Sequence, residues 1–400
     1  MLMKRRDVDI FISGGGIAGL TAAAAFAHEG LSVVVADPAK PPSSASKQGA
    51  DLRSTAFLGP SRELFESIGL WDPLAPLAQP LDALRVIDCQ GQPPEPRTDR
   101  TFQPADLGEE SFGWNLPNWL TRKTLAESLA SAPNVELLLG VGFANLLTRE
   151  KEAIVTLSNG DQIRARLAIA ADGRTSPLRA ASKIEVKTKR YGQKALAFVV
   201  AHKCPHENVS TELYLSGGAF TTVPLPDHDG QHCSAIVWMN DGARAQELAA
   251  MGASTFSQAA TERSCGVLGE MTLLTQRNLW PIVTQEAERL ANERVALIAE
   301  AAHVLPPIGA QGLNTSLRDV SELLRLYRDT PNSLGTAEFL KRYEQARAKD
   351  IRWRAHIIDL YNRLCRSDLP ALQDVRSAGL KLVHNVTPLR RSIMRAGMGG

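Results

Sequence analysis

No apolar run of the roughly eighteen residues needed to cross a bilayer occurs in the chain, so nothing in it reads as a transmembrane helix. Cysteine is scarce. Cys89, Cys204, Cys233, Cys265 and Cys365 are an odd set with no C-x-x-C pair, which argues against a zinc site or disulfide framework and for a reducing compartment. Neither sign of charge is in excess: 45 Lys and Arg against 43 Asp and Glu leave a net charge of +2, which makes no case for nucleic acid. No signal peptide is read. The first residues are basic, but the apolar run behind them is strand-length and ends in a glycine turn. Internal repeats, long low-complexity tracts, a Ser-His-Asp set and a metal cluster are likewise lacking. The expected location is the cytoplasm. What is present is a chain of 400 residues with 44% apolar content, long enough for two domains and a sizeable core.

The chain is organised around Asp9 to Asp37, which reads as strand, glycine turn, helix, strand. Ile10, Phe11 and Ile12 form the first apolar run. Gly14, Gly16 and Gly19 follow in the spacing G-x-G-x-x-G, with Ile17 and Ala18 between the last two. Gly14 permits the turn, Gly16 lets a pyrophosphate approach the backbone, and Gly19 lets the helix pack on the strand. The helix runs to about Ala27, and Gly30 is placed to stop it. Its N-terminus offers free N–H groups to phosphates. Leu31 to Val35 is the second strand, and Asp37 stands 18 residues after Gly19, where an acid can hold ribose hydroxyls. The pattern predicts a dinucleotide site without separating FAD from NAD.

Further along, Arg53 precedes a helix over about 60–68, and Leu81 to Asp88 is strand-like. Asn118 to Ala132 reads as a helix with Arg122 in its first turn, where the helix dipole disfavours a cation and an anionic or polar partner would suit it. Asn159-Gly160 predicts a hairpin between Ala153–Leu157 and Gln162–Leu167. The strand through Ala168 to Ala171 ends at Asp172-Gly173, a place where α/β sheets present ligand contacts. From Lys183 to about Leu279 the pattern becomes antiparallel sheet with one or two helices, Ala253 to Glu262 the clearest; Phe220, Trp238 and Trp280 there are read as core before pocket lining. Val295 to Ala299 is a buried strand, and a helix follows from about Thr315 to Tyr327. A charged helix spans Thr336 to Cys365. The fold class is α/β. A discontinuous Rossmann-like domain (1–75, 100–182 and 285–365) carries a mainly antiparallel second domain (76–99 and 183–284) and an amphipathic helical segment (366–400).

Three stretches then point together: Gly14 to Gly19 with Asp37; Asp172-Gly173-Arg174-Thr175-Ser176-Pro177-Leu178-Arg179; and Glu300 to Asn314 with Asp319. The trio resembles the class A flavoprotein monooxygenases, whose second motif, D-G-x-x-S-x-x-R, is matched in full. Leu52-Arg53-Ser54-Thr55-Ala56, Ser67-Ile68-Gly69-Leu70-Trp71, Asn118-Trp119-Leu120-Thr121-Arg122 and Pro388-Leu389-Arg390-Arg391 look like the ubiquinone-biosynthesis hydroxylases in particular. The resemblance implies a bound FAD, NAD(P)H as a transient co-substrate, O₂, a flavin hydroperoxide and a polyprenylated aromatic or quinone substrate. It places the FAD pyrophosphate on the glycine turn and the adenosine ribose on Asp37. Arg53 and Arg122 would lie along the ribityl and flavin side. Asp172 and Gly173 would serve FAD and NADPH, and Glu300 the ribityl chain and pyrophosphate. Pro306, Pro307, Gly312, Leu313 and Asn314 would form a loop against the flavin ring, with His303 and Pro307 as the catalytic candidates.

The chain departs from that pattern where Ala299 and Ala310 replace glycines of the third motif and Ser316 replaces a later one. Two alternatives therefore stand beside the leading reading: a hydroxylase of a soluble aromatic acid, and a flavin-poor, non-catalytic subunit of a quinone-synthesis complex. The last segment holds Arg376, Lys381, Arg390, Arg391 and Arg395 without an acid, with apolar residues at near-helical spacing. It is read either as a basic helix peripheral on the inner face of a membrane or as a solvated helix or oligomer contact.

Overall fold

The computed structural model describes residues 4–367 and 369–398. Strand Arg5–Ser13 lies at the centre of the first sheet. It runs parallel to Gln162–Ala170 on one side and to Val33–Asp37 on the other. Val135–Leu139 extends the sheet beyond Val33–Asp37, and Val295–Leu297 extends it beyond Gln162–Ala170. Ile10, Phe11 and Ile12 are all fully buried, as expected of a parallel strand with helices on both faces. Helix Ile17–His28 covers one face, and its small residues Ala22 to Ala25 let it lie close.

That closeness is demanded by backbone contact. A Cβ at Gly19 would stand 2.0 Å from the Gly14 carbonyl oxygen, and one at Gly14 would stand 2.3 Å from the Ala171 carbonyl oxygen. The turn is therefore pressed between its own helix and the strand that ends in the second motif. Asn159-Gly160 makes the hairpin from Glu152–Leu157 into Gln162–Ala170, so the second motif leaves the sheet at its C-terminal edge beside the glycine turn.

The second sheet has nine strands. Its pairings are antiparallel except that Val209–Leu215 runs parallel to Ala83–Gln90. Strand Glu95–Phe102 crosses the boundary expected at 99, and strand Asn278–Ala287 crosses the one expected at 284. Both run on because their ladder partners do: Leu84 pairs with Phe102, and Val186 with Ala287.

The two faces of this sheet are covered differently. Helices Gly242–Ala250 and Ala253–Arg263 seal the outer one, over Leu196, Phe198, Phe220, Ile236 and Trp238. Phe220 and Trp238 are thus core residues on the side away from the first sheet. The inner face carries Val86, Ala195, Tyr214, Met239 and Ile282, and it meets Leu305, Ile308 and the long helix Ala337–Arg366 through Ala355 and Ile358. Helices Pro370–Asn385 and Thr387–Met398 close one end of that face. Among the described residues no helix is long and apolar enough to cross a membrane.

Gly19→Ala is expected to destabilise the fold by about 3 kcal/mol, the upper part of the overpacking range, because backbone lines the space on two sides. Denaturant unfolding of the variant beside the wild type measures it; an unchanged midpoint would show that the turn has room to yield.

Candidate functional site

The site lies where the first sheet's C-terminal edge faces the inner face of the second. At the glycine turn, Gly16 is the N-cap of helix Ile17–His28 and has no side-chain capping bond. A Cβ there would meet nothing within 4 Å, whereas Gly14 and Gly19 are hemmed in. The open side of Gly16 and the uncapped N–H groups together form a cradle for a pyrophosphate.

Asp37 sits beside this cradle. Its Oδ2 accepts from the Gly15 N–H at 2.7 Å, and its Oδ1 from the Ala39 N–H at 2.7 Å. Arg122 lies with it. Its Nε donates to the Gly15 carbonyl at 2.7 Å, its terminal nitrogen to the Ala39 carbonyl at 2.7 Å, and its guanidinium is 3.3 Å from Asp37. Arg122 therefore braces the glycine turn and Asp37 from the start of its helix. The helix dipole cost noted above is met by Asp37 and two carbonyls, all within the chain.

Arg53 stands apart, in a cluster of its own. Asp51 grips it in a two-pronged pair (2.8 and 2.9 Å), Glu300 lies 3.8 Å away, and Trp280 presents its ring 5.5 Å from the guanidinium carbon. Burial pulls the Arg53 guanidinium down, and the Asp51 and Glu300 carboxylates more than offset it. Asn118 Nδ2 donates to Asp51 at 2.9 Å, and the Asn118 N–H donates to the Arg53 carbonyl at 2.9 Å. The Glu300 side chain is half exposed and stays available to a ligand. Asp51 and Asn118 were not anticipated as site residues. Their signal was the acid standing two positions before Arg53.

The second motif is a knot between the other two. Asp172 Oδ2 accepts from Ser13 Oγ at 2.8 Å and from the Leu178 N–H at 3.2 Å. Ser176 caps the short helix Pro177–Ala181 by accepting from the Arg179 N–H. Buried Arg179 crosses to the Ala301 carbonyl at 2.8 Å. Asp172 Oδ1 is buried without a partner. Burial pushes this carboxyl up, against the bonds from Ser176 and Ser13 that pull it down. Gly173 beside it has open space around it but holds a left-handed backbone, at φ +85°, that favours glycine.

The third motif folds differently from expectation. Gly312, Leu313 and Asn314 are not loop but the first turn of helix Gln311–Asp329, which starts four residues before Thr315. Asn314 explains the early start. Its amide donates to the Ala56 and Ala310 carbonyls, and its oxygen accepts from the Leu58 N–H and Ser61 Oγ, all at 2.7–3.0 Å. It is buried by those bonds, so it positions the turn. Pro306 is buried too, while Pro307, Gly309 and Gly312 are the residues presented outward.

His303, one of the two catalytic candidates, is buried against Asp319. Its side chain is 1% exposed, and Nε2 lies 2.7 Å from Asp319 Oδ2. Asp319 also accepts from the Ala299 N–H at 3.0 Å and from Arg347 Nε at 2.8 Å. Burial alone would push the Asp319 carboxyl up; the charges on His303 and Arg347 hold it below its ordinary value.

The groups present fit an FAD. The Gly16 cradle, Asp37, the Arg53–Glu300 pair and the uncapped start of helix Gln311–Asp329 would hold pyrophosphate, ribose, ribityl chain and ring in that order. Among the described residues no cluster of metal ligands accompanies them.

Comparison with known proteins agrees with this fit. A family model described as FAD binding domain matches residues 7–355. The chain is 33% identical over 395 residues to the ubiquinone hydroxylase UbiL of Rhodospirillum rubrum, covering 98% of this chain and 89% of that one. It is 25% identical over 401 residues to 3-demethoxyubiquinol 3-hydroxylase of Escherichia coli, covering 99% and 100%. Among solved structures, p-nitrophenol 4-monooxygenase PnpA from Pseudomonas putida DLL-E4 shares the fold, with a TM-score of 0.80 over 100% of this chain and 99% of that one at 18% identity.

Gly16→Ala is expected to leave the unfolding midpoint of the FAD-free protein within about 0.5 kcal/mol of wild type. It should weaken FAD binding at least about tenfold, read by titration of flavin fluorescence. Unchanged affinity would place the pyrophosphate elsewhere. Asp319→Asn is expected to cost about 3 kcal/mol, because it leaves Arg347 short of a buried partner. The Asp319 pKa is depressed in the fold, so its contribution is complete above the ordinary carboxylate range and lost as pH falls through the folded value. The gap between the two proteins in urea unfolding should accordingly be full at neutral pH and shrink below about pH 4; a gap independent of pH would contradict the ionised carboxylate.

Proposed function

The chain belongs to the FAD-binding-domain family, and we propose that it uses bound FAD, NAD(P)H and O₂ to hydroxylate the aromatic ring of a polyprenylated phenol or quinol in ubiquinone synthesis. The observation that carries the substrate class is the 33% identity, spanning nearly the whole chain, to a ubiquinone hydroxylase. The inner face of the second sheet supports it. Val86, Ala195, Met239, Ile282 and Ile308 make that face apolar beside the start of helix Gln311–Asp329. A lipophilic ring can shed its water there.

The polar groups of the inner face also bear on the alternative of a soluble aromatic acid. Such a substrate needs a free cation. Arg376 is already paired with Asp88, while Arg100, opposite Val86 on the same sheet, forms no ion pair among the described residues; Glu212, which accepts from the Tyr214 hydroxyl, would oppose a substrate carboxylate. Burial pushes the Glu212 carboxyl up, so it is suited to a neutral phenol rather than an acid.

When bound, FAD would pass two electrons from NAD(P)H to O₂, so that one oxygen atom of O₂ enters the ring and the other leaves as water. The chain's own part is positioning. The Gly16 cradle and Asp37 fix the nucleotide half. Arg53, held by Asp51, keeps Glu300 facing the ligand. The first N–H groups of helix Gln311–Asp329, which lack a side-chain cap, favour negative charge at the ring end. Pro307 and Leu313 border that end with apolar surface, and the inner face keeps water from the reacting ring.

The test is direct. The purified protein should carry flavin bands with near-stoichiometric FAD. With NAD(P)H, ¹⁸O₂ and a short-prenyl phenol, it should form a product bearing one labelled oxygen. A colourless protein that takes up no added FAD would favour the flavin-poor subunit instead.

A further inference from the structure

Helices Pro370–Asn385 and Thr387–Met398 have two unlike sides. Inward, Leu380, Val383, Met394 and Met398 pack on the inner-face cluster with Ile308 and Ala310. Gln311 Nε2 donates to the Gly397 carbonyl at 2.8 Å, and Arg354 donates to Gln311 Oε1 at 2.8 Å. This helix pair therefore abuts the same helix start that borders the ring end of the site.

Outward, the pair is uncovered. Val375, Leu382 and Val386 recur at spacings that place them on one stripe of the first helix and its exit, and Ile393 adds to it from the second; their exposures run from 40% to 57%. Arg391, Ser392 and Arg395 line an open groove of about 550 Å³ with Pro388 and Ala396. The basic residues divide cleanly. Arg376 is spent on Asp88 at 2.5 Å, and Arg390 on Asp106 at 2.7 Å. Lys381, Arg391 and Arg395 form no ion pair among the described residues, and the sequence from Arg376 onward contains no acid.

We propose that this outer face docks on an anionic phospholipid bilayer, with the Arg391–Arg395 groove receiving lipid phosphates and the Val375–Leu382–Val386–Ile393 stripe entering the acyl boundary. The charge pattern selects this occupant. A second copy meeting the face about a two-fold axis would set Lys381, Arg391 and Arg395 against the same three cations. A bilayer carrying negative headgroups offers opposite charge and apolar depth together. The docking rests on the polyprenylated-substrate reading for its purpose: it sets the inner face directly behind the membrane contact, so a lipophilic substrate reaches the ring site past Met394 and Met398 without crossing water.

The experiment is flotation of the full-length, FAD-loaded protein with vesicles of phosphatidylcholine alone and of phosphatidylcholine with phosphatidylglycerol. Binding is expected to the anionic vesicles only and to fall with added salt. Arg391→Glu/Arg395→Glu should bind at least tenfold more weakly, given about fivefold per lost cation near such a surface. Its melting temperature, FAD content and turnover of a soluble short-prenyl phenol should match the wild type. The proposal is overturned if wild type ignores anionic vesicles, binds neutral ones equally, or if the double variant binds as well as wild type. A dimer in light scattering that the double variant dissolves would give the face to a second copy. Flotation needs no turnover, so a failed hydroxylase assay leaves it standing, while normal turnover without vesicle binding rejects the docking alone.

Discussion

The buried carboxylate of Asp319 is the interaction on which the rest of the site depends. It accepts from the Ala299 N–H, from His303 and from Arg347, and so joins the end of strand Val295–Leu297, the strand after it and the long helix Ala337–Arg366 at one point. Ala299 and Ala310 both adopt left-handed backbone, at φ +55° each, where an L-residue pays about 1–2 kcal/mol. Each is held there by a side chain of the same helix. Asp319 binds the Ala299 N–H, and Asn314 binds the Ala310 carbonyl. A hydrogen bond to a charged group contributes about 1.5–3 kcal/mol and a neutral one about 0.5–1.5, enough to offset that strain. The left-handed backbone at Ala299 and Ala310 is therefore held by this helix, and Glu300 emerges half exposed beside Arg53.

The three motifs are remote in sequence, yet the structure ties them by direct bonds. Ser13 follows from the first strand and donates to Asp172. Asp172 accepts the Leu178 N–H, and Arg179 in the same segment reaches the Ala301 carbonyl of the third motif. Asn314 then carries the chain of contacts to Ala56 and Leu58, next to Arg53. A site built this way needs little loop ordering when a ligand arrives, because its members are already cross-braced.

Much of this was legible in the sequence. The strand–turn–helix–strand opening, the Asn159-Gly160 hairpin and the switch to antiparallel runs after Lys183 follow from local periodicity and turn chemistry, and the structure contains each of them. The direction of long side chains was not legible. The length of Arg122 carries it from its own helix to Gly15 and Asp37, contacts no local pattern announces. The resemblance makes His303, the residue after the third strand, a catalytic candidate. Its partner is Asp319, about two turns into helix Gln311–Asp329, and no local pattern announces such a contact. The resemblance implies a loop from Pro306 to Asn314, and Asn314 in fact secures the first turn of a helix. Each case concerns a polar side chain whose partner is distant in sequence, where periodicity carries no information.

The second sheet shows how one layer can serve both stability and access. Its outer face is sealed by two helices over aromatic residues and needs nothing further. Its inner face is covered by elements that each carry a polar tie: the long helix through Arg354 to Gln311, and the C-terminal pair through Arg376 to Asp88 and Arg390 to Asp106. Such ties hold a cover in register yet cost less to break than a packed aromatic core, since partly exposed ion pairs are worth little once water reaches them. Arg376 and Asp88 are buried and anchor the near end of the pair; Arg390 and Asp106 are partly exposed, at 18% and 21%, and hold the far end more weakly. The cover is thus firmest at Pro370–Asn385 and loosest at Thr387–Met398, the helix that touches Gln311. The place where the inner face is easiest to uncover is the place nearest the ring end of the site.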